Sequence, residues 1–153
     1  MMFKNIDSIY NYVGQEMFSS LPGKWDKAYL NVNMDKIDRA ISIDSKYISE
    51  GVEYFFDLDR KSGIVNFSDC DEAFYDLYHI MQKNEQDVPW NKARFELTPD
   101  GDFSIDFKYD EDFAWYKLLD IESQEYDELD IDIIDKIKSW EGLPSDYQRY
   151  WKK

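Results

Sequence analysis

The sequence is poor in the residues that most often build active sites and covalent cross-links. Its 153 residues include one cysteine, Cys70, and one histidine, His79. A single cysteine cannot form an intrachain disulfide, which is typical of proteins from a reducing compartment. Neither residue lies in a motif with the base and the orienting group that nucleophilic catalysis requires. We therefore predict that the protein is not an enzyme and carries no cofactor.

Long apolar runs and glycine-rich loops are also missing. No stretch approaches the roughly 18 apolar residues of a membrane-spanning helix. The opening "MMFKNIDSIYNYVG" has charged and polar residues where a signal peptide would be apolar. The segment "DLDRKSGIVNF" has one glycine and indicates a turn rather than a phosphate-binding loop. These features predict a soluble, cytoplasmic protein that does not bind membranes.

Basic residues are scarce relative to acidic ones. The chain has 33 Asp and Glu against 18 Lys and Arg, a formal net charge of −15. Residues 1–68 carry a net −2 and residues 100–153 a net −9, and Asp100 to Asp135 hold 14 carboxylates against two lysines. The electrostatic field of this negative charge repels nucleic acid and anionic membranes and attracts basic proteins. Acidic surfaces also serve solubility alone, but the uneven distribution favours a binding surface.

Hydrophobic periodicity predicts an α+β fold in a single domain over residues 1–153. Apolar residues at helical spacing indicate helices at about 4–18, 68–84 and 131–140. Alternating residues indicate strands at 27–34, 39–48 and 51–59, followed by a hairpin within 90–110. The element order is α-βββ-α-ββ-α. Short turns between strands favour an antiparallel sheet of about five strands with helices packed on it.

The alternation also predicts which strand residues face the core. In the first strand the inward residues are Ala28, Leu30, Val32 and Met34. In the third strand they are Val52, Tyr54, Phe56 and Leu58, which leaves Phe55 on the opposite face.

The hairpin contains a pattern that imitates a metal site. Asp100, Asp106 and Lys108 resemble the two acids and lysine of many metal-dependent nucleases. Asp100 lies in the turn, however, about 10 Å or more along the strand from Asp106, too far for both to coordinate one ion. The later carboxylates lack the spacing of a calcium-binding loop. A small metal-dependent hydrolase is therefore a weak alternative, and we predict no metal site.

Three stretches resemble one known family. They are "KWDKAYL" at residues 24–30, "VPW" at 88–90 and "FELTPDGDFSIDFKYD" at 95–110. Together they resemble the YezG-like immunity proteins, small cytosolic antitoxins of bacterial polymorphic-toxin and contact-dependent inhibition systems. The resemblance implies a protein that neutralises a cognate toxin domain, usually a nuclease. It weakens beyond about Asp112, so the acidic segment, residues 110–132, is predicted to be specific to the partner.

These observations together predict a contact surface for a basic toxin domain. The candidate contact residues combine outward carboxylates with two aromatic side chains: Asp106, Asp110, Glu111, Asp112, Trp115, Tyr116, Glu122, Glu125, Asp127 and Glu128. Desolvated carboxylates paired with Arg or Lys can dominate such an interface, whereas charges at its rim mainly tune association. The alternative is an acidic nucleic-acid mimic or adaptor that binds another basic protein, such as a transcription regulator.

Overall fold

The computed structural model of the protein describes residues 3–35, 40–58, 69–82 and 90–149. The chain divides into two compact units, Met1–Tyr109 and Asp110–Lys153. No helix within the described ranges is long and apolar enough to cross a membrane.

The described residues of the first unit form a five-stranded sheet and two helices. The strands have the spatial order β3-β2-β1-β4-β5, and every neighbouring pair is antiparallel. Its elements in chain order are α1 (Ile6–Ser20), β1 (Lys27–Asp35), β2 (Ala40–Ser49), β3 (Val52–Phe55), α2 (Asp69–Met81), β4 (Lys92–Leu97) and β5 (Phe103–Lys108). The predicted fold class, α+β with about five antiparallel strands, is confirmed.

Both helices contribute to the core on one face of the sheet. The inward set predicted for β1 is buried, with Ala28, Leu30 and Val32 fully covered and Met34 3% exposed. The helices add fully buried side chains, among them Ile9, Val13, Met17, Phe74 and Leu77. Burying a large apolar side chain contributes about 1.5–3 kcal/mol. These side chains therefore stabilise the first unit by burying apolar surface between the helices and the sheet.

The start of the described chain is attached to the second helix by a buried carboxylate. Asp76, 2% exposed, accepts a hydrogen bond of 2.9 Å from the Phe3 backbone N–H. At the start of α1, the Asn5 side chain accepts from the Ser8 backbone N–H at 2.8 Å and so caps the helix.

The third strand is shorter and more exposed than the alternation predicts. Val52 and Tyr54 lie on the predicted face of the sheet, but the prediction that they are inside the core is wrong, because they are 50% and 44% exposed. They lie on the edge strand, where Tyr54 stacks on Tyr47 and no further described strand covers them. Phe56 and Leu58 follow the strand and pack partly against the core. Phe55, predicted to face outward, is 75% exposed.

The face of the sheet opposite α1 and α2 carries a polar network. The Tyr29 hydroxyl donates to Glu53, and Lys46 Nζ lies 3.2 Å from Glu53 Oε1. The Arg94 guanidinium lies 4.5 Å from the centroid of the Tyr29 ring and donates to Asn31 Oδ1 at 2.8 Å. This network connects four adjacent strands through their side chains.

The network predicts how the stability of the fold depends on pH through the Glu53 carboxylate. The hydrogen bond from Tyr29, and then the attraction of Lys46, holds the pKa of Glu53 below its usual value. Since the folded pKa is lowered, this carboxylate stabilises the fold above its unfolded pKa of about 4.3. That contribution is lost as the pH falls through the lower folded value. We expect the Glu53 pKa, measured by carboxyl NMR titration, to rise in Tyr29→Phe; an unchanged value would contradict the network.

The second unit contains more helix than the sequence indicates. Its elements are α3 (Glu111–Leu118), α4 (Gln124–Asp127) and α5 (Ile131–Lys138). The helix predicted at 131–140 corresponds to α5. The predicted element order is incomplete here, because it assigns no helix to the acidic segment, residues 110–132, which contains α3 and α4.

Candidate partner-binding surface

The helices of the second unit begin at side chains that cap them. Asp110 accepts hydrogen bonds from the Asp112 and Phe113 backbone N–H groups at 2.9 and 3.1 Å. Ser123 caps α4, and Asp130 caps α5 through the Asp132 backbone N–H at 3.1 Å. Polar caps of this kind satisfy backbone donors that the helix leaves unpaired. Asp110, a candidate contact residue, therefore also has a structural role.

The helices enclose a small apolar core. Its buried members are Phe113, Tyr116, Ile134, Ile137 and Leu143. Trp115 is half-buried and packs against this cluster. Burial, and then hydrogen bonding to Tyr126, raise the pKa of the Tyr116 hydroxyl to about 12. Tyr116 thus belongs to the interior, whereas Trp115 keeps part of its ring accessible.

Asp112 is buried in an ion pair rather than presented to solvent. Arg149 binds it with two hydrogen bonds, Nε to Oδ1 at 2.8 Å and Nη2 to Oδ2 at 2.9 Å. The Asp112 and Arg149 side chains are 9% and 14% exposed. The same guanidinium donates to the carbonyls of Leu143, Pro144 and Tyr147. The pair therefore connects the start of α3 to the segment at 143–149.

The remaining carboxylates of the second unit form its surface. Residues 110–149 contain 13 Asp and Glu against four Lys and Arg, a net charge of −9. No basic residue occurs between Lys117 and Lys136, a stretch of 18 residues with eight carboxylates. All eight are exposed. Like charges so close in sequence repel one another, and a basic partner would relieve that repulsion.

Four of the predicted contact residues are grouped around one short helix. We call Glu122, Glu125, Asp127 and Glu128 the α4 carboxylates; all are exposed. Glu128 accepts a hydrogen bond from the Gln124 amide at 3.0 Å, and the Asp120 side chain fixes the preceding turn by accepting from the Glu122 backbone N–H at 2.9 Å. The turn and the cap at Ser123 hold the backbone that carries these charges.

The same stretch exposes large aliphatic side chains that the sequence analysis did not single out. Leu118, Ile121 and Ile131 are 69%, 70% and 65% exposed. Exposed apolar side chains can add buried area to charge pairing when a partner binds. A sequence signal was available for two of them, because Ile121 and Ile131 each lie between two carboxylates.

The other predicted contact residues lie elsewhere. Glu111 is exposed in the first turn of α3. Asp106 belongs to the first unit, where it is exposed on β5 beside Arg94 of β4. The structure thus groups the α4 carboxylates, places Asp112 and Tyr116 in the interior, and leaves Asp106 on the sheet.

The described residues contain no arrangement typical of a catalytic or metal site. Asp100 lies in the exposed turn, and no three His, Cys, Asp or Glu side chains in the described ranges converge to hold a metal ion. His79 is exposed and contacts the rings of Tyr75 and Tyr78. Cys70 is buried at the start of α2, 1% exposed.

Comparison with known proteins links the chain to one family. A family model described as "Immunity protein YezG-like" matches residues 6–150. The chain is also 24% identical over 113 residues to the type VII secretion system protein EsaG of Staphylococcus aureus (strain NCTC 8325 / PS 47). That alignment covers 69% of this chain and 69% of EsaG. The matched range includes both units, and therefore the sheet and the α4 carboxylates.

Proposed function

This chain belongs to the YezG-like immunity protein family, and from that premise we propose that it neutralises a nuclease toxin by binding the toxin's basic domain through its acidic second unit. Membership of this family supports an antitoxin role without catalysis. The similarity to a type VII secretion system protein supports a partner from a secretion system of that kind.

The main support for the proposal is the exposed negative charge of the second unit. Nucleases bind polyanions, so their substrate clefts are positive. Eight exposed carboxylates without an intervening base complement such a cleft, and they raise the association rate at low salt. By occupying the cleft or its border, the chain would prevent nucleic acid from entering.

Within this surface we assign direct contact to Glu111 and the α4 carboxylates, with Leu118 and Ile121 as apolar contacts and the accessible part of Trp115 as an aromatic one. Asp112 and Tyr116 are buried within the unit, so they stabilise the fold that presents this surface and do not contact the partner. Asp106 would contact the partner separately from this group.

Binding to a purified toxin domain tests the proposal. The probe is the C-terminal domain of the neighbouring upstream gene product, with its toxic activity removed by mutation. Isothermal titration calorimetry is expected to show a Kd below about 1 μM, weakened at least about tenfold between roughly 50 and 200 mM salt. Absence of binding would refute the proposal, and binding that salt does not affect would refute the role of the acidic surface.

A further inference from the structure

The strand β3 exposes a surface that the proposed function does not use. Among the described strands β3 lies at one edge of the sheet, and all four of its residues are exposed. Three of the four are apolar or aromatic, and Phe55 is 75% exposed. An exposed apolar edge strand offers unpaired backbone groups to another chain, and soluble proteins usually protect such edges.

The turn before β3 determines which backbone groups point outward. Glu50 and Gly51 have φ angles of 52° and 78°, and they connect the paired residues Ser49 and Val52 in a two-residue hairpin. The backbone N–H and C=O groups of every second residue, counted from Val52, therefore point to β2. The Phe56 N–H fits this alternation, because it donates to the Ser45 carbonyl. The N–H and C=O groups of Glu53 and Phe55 consequently point away from β2.

The hairpin is held in the conformation that presents this edge. Asp26 accepts a hydrogen bond from the Glu50 backbone N–H at 3.0 Å, and its own N–H donates to the Ile48 carbonyl at 2.7 Å. Lys46 binds Glu53 and lies 5.1 Å from the centroid of the Phe55 ring. A preorganised edge loses less conformational entropy when a partner binds.

The charges around β3 indicate the chemistry of its partner. Residues 40–58 contain four carboxylates, Asp44, Glu50, Glu53 and Asp57, against one lysine. A second copy of the chain, pairing β3 with β3, would bring two such sets of carboxylates to one seam and be repelled. An extended segment with basic residues opposite Glu53 and apolar residues opposite Val52 and Tyr54 would instead be attracted.

We propose that the edge of β3 binds an extended, basic segment of the toxin by β-strand addition, with Phe55 as the aromatic anchor. This inference rests on the proposed function, since it takes the toxin as the partner. Backbone hydrogen bonds would supply affinity, and the alternating side chains of β3 would supply specificity.

Hydrogen exchange of the unmodified chain tests the inference first. The probe is the inactivated C-terminal domain of the neighbouring upstream gene product, mixed with the full chain. We expect the backbone amides of Glu53 and Phe55 to exchange at least about tenfold more slowly in the complex. A complex in which these two amides exchange as in the free chain would overturn the inference while leaving the proposed function intact.

A proline substitution then tests the backbone contribution. Phe55→Pro removes an N–H that points away from the sheet, so the strand should tolerate it. Phe55→Ala removes the ring and keeps the N–H. Relative to Phe55→Ala, we expect Phe55→Pro to raise the Kd for the toxin domain about tenfold. Equal affinities for the two variants, each folded by circular dichroism, would overturn strand addition.

The oligomeric state of the free chain shows whether a second copy, rather than the toxin, occupies the edge of β3. Light scattering is expected to give a monomer for the free chain. A dimer that Phe55→Pro dissociates would assign the edge to a second copy and overturn the toxin as its occupant. No binding of the toxin domain by the unmodified chain would refute the proposed function, and with it the inference.

Discussion

Reversing the four α4 carboxylates to lysine is expected to weaken binding to the toxin domain by about a thousandfold. Each of these residues is exposed, and together they stand in a stretch without a basic side chain. The reversal replaces attraction to a basic cleft with repulsion, and like charges across an interface cost several kcal/mol. Calorimetry with the inactivated toxin domain measures the change directly.

A matched variant separates this local effect from the change in net charge. Four exposed aspartates outside the stretch between Lys117 and Lys136 are available as the control: Asp7, Asp100, Asp102 and Asp146. Their reversal changes the net charge by the same amount, and we expect it to reduce the affinity about tenfold or less. Equal losses of affinity in the two variants would show that the net charge of the chain, and not the position of the α4 carboxylates, governs binding.

Arg149→Met is expected to destabilise the second unit by about 3 kcal/mol, since it leaves a buried carboxylate without its partner. The Asp112 side chain is 9% exposed and receives two hydrogen bonds from this guanidinium. The substitution also removes donors from three carbonyls in the segment 143–149. Amide hydrogen exchange in α3 and in that segment should report the loss.

Two controls identify the cause of that destabilisation. Lys136→Met removes an exposed charge from the last turn of α5 and should cost about 0.5 kcal/mol or less. The double variant Asp112→Leu with Arg149→Met replaces both charges by apolar groups and should recover most of the stability. If Arg149→Met alone unfolds like the unmodified protein, the buried pair does not hold the unit together.

The sheet was predictable from the sequence because apolar and polar residues alternate regularly along its strands. In β1, strict alternation places Ala28, Leu30 and Val32 on the covered face, and burial on one face is what determines strand register. The same reasoning failed at β3, because alternation indicates a face but not whether another element covers it. Val52 and Tyr54 lie on the predicted face and are nevertheless exposed at the sheet edge.

The second unit was less predictable for two physical reasons. Helix α3 has eight residues, and its apolar stripe reduces to Phe113 and Tyr116, since Leu118 is 69% exposed. Helices this short depend on tertiary contacts rather than on their own sequence pattern. Asp112 looks like any other surface carboxylate until Arg149, 37 residues away, is brought beside it. Spacing along the chain contains no sign of such a pair.

The central claim is that this chain neutralises a toxin domain, and bacterial growth tests it most directly. The active C-terminal domain of the neighbouring upstream gene product is expressed in cells with this chain, with its α4-reversed variant, or alone. We predict growth with the unmodified chain, and arrest with the variant or without a partner. Arrest in all three cultures, when the unmodified chain is present in excess, would contradict the claim.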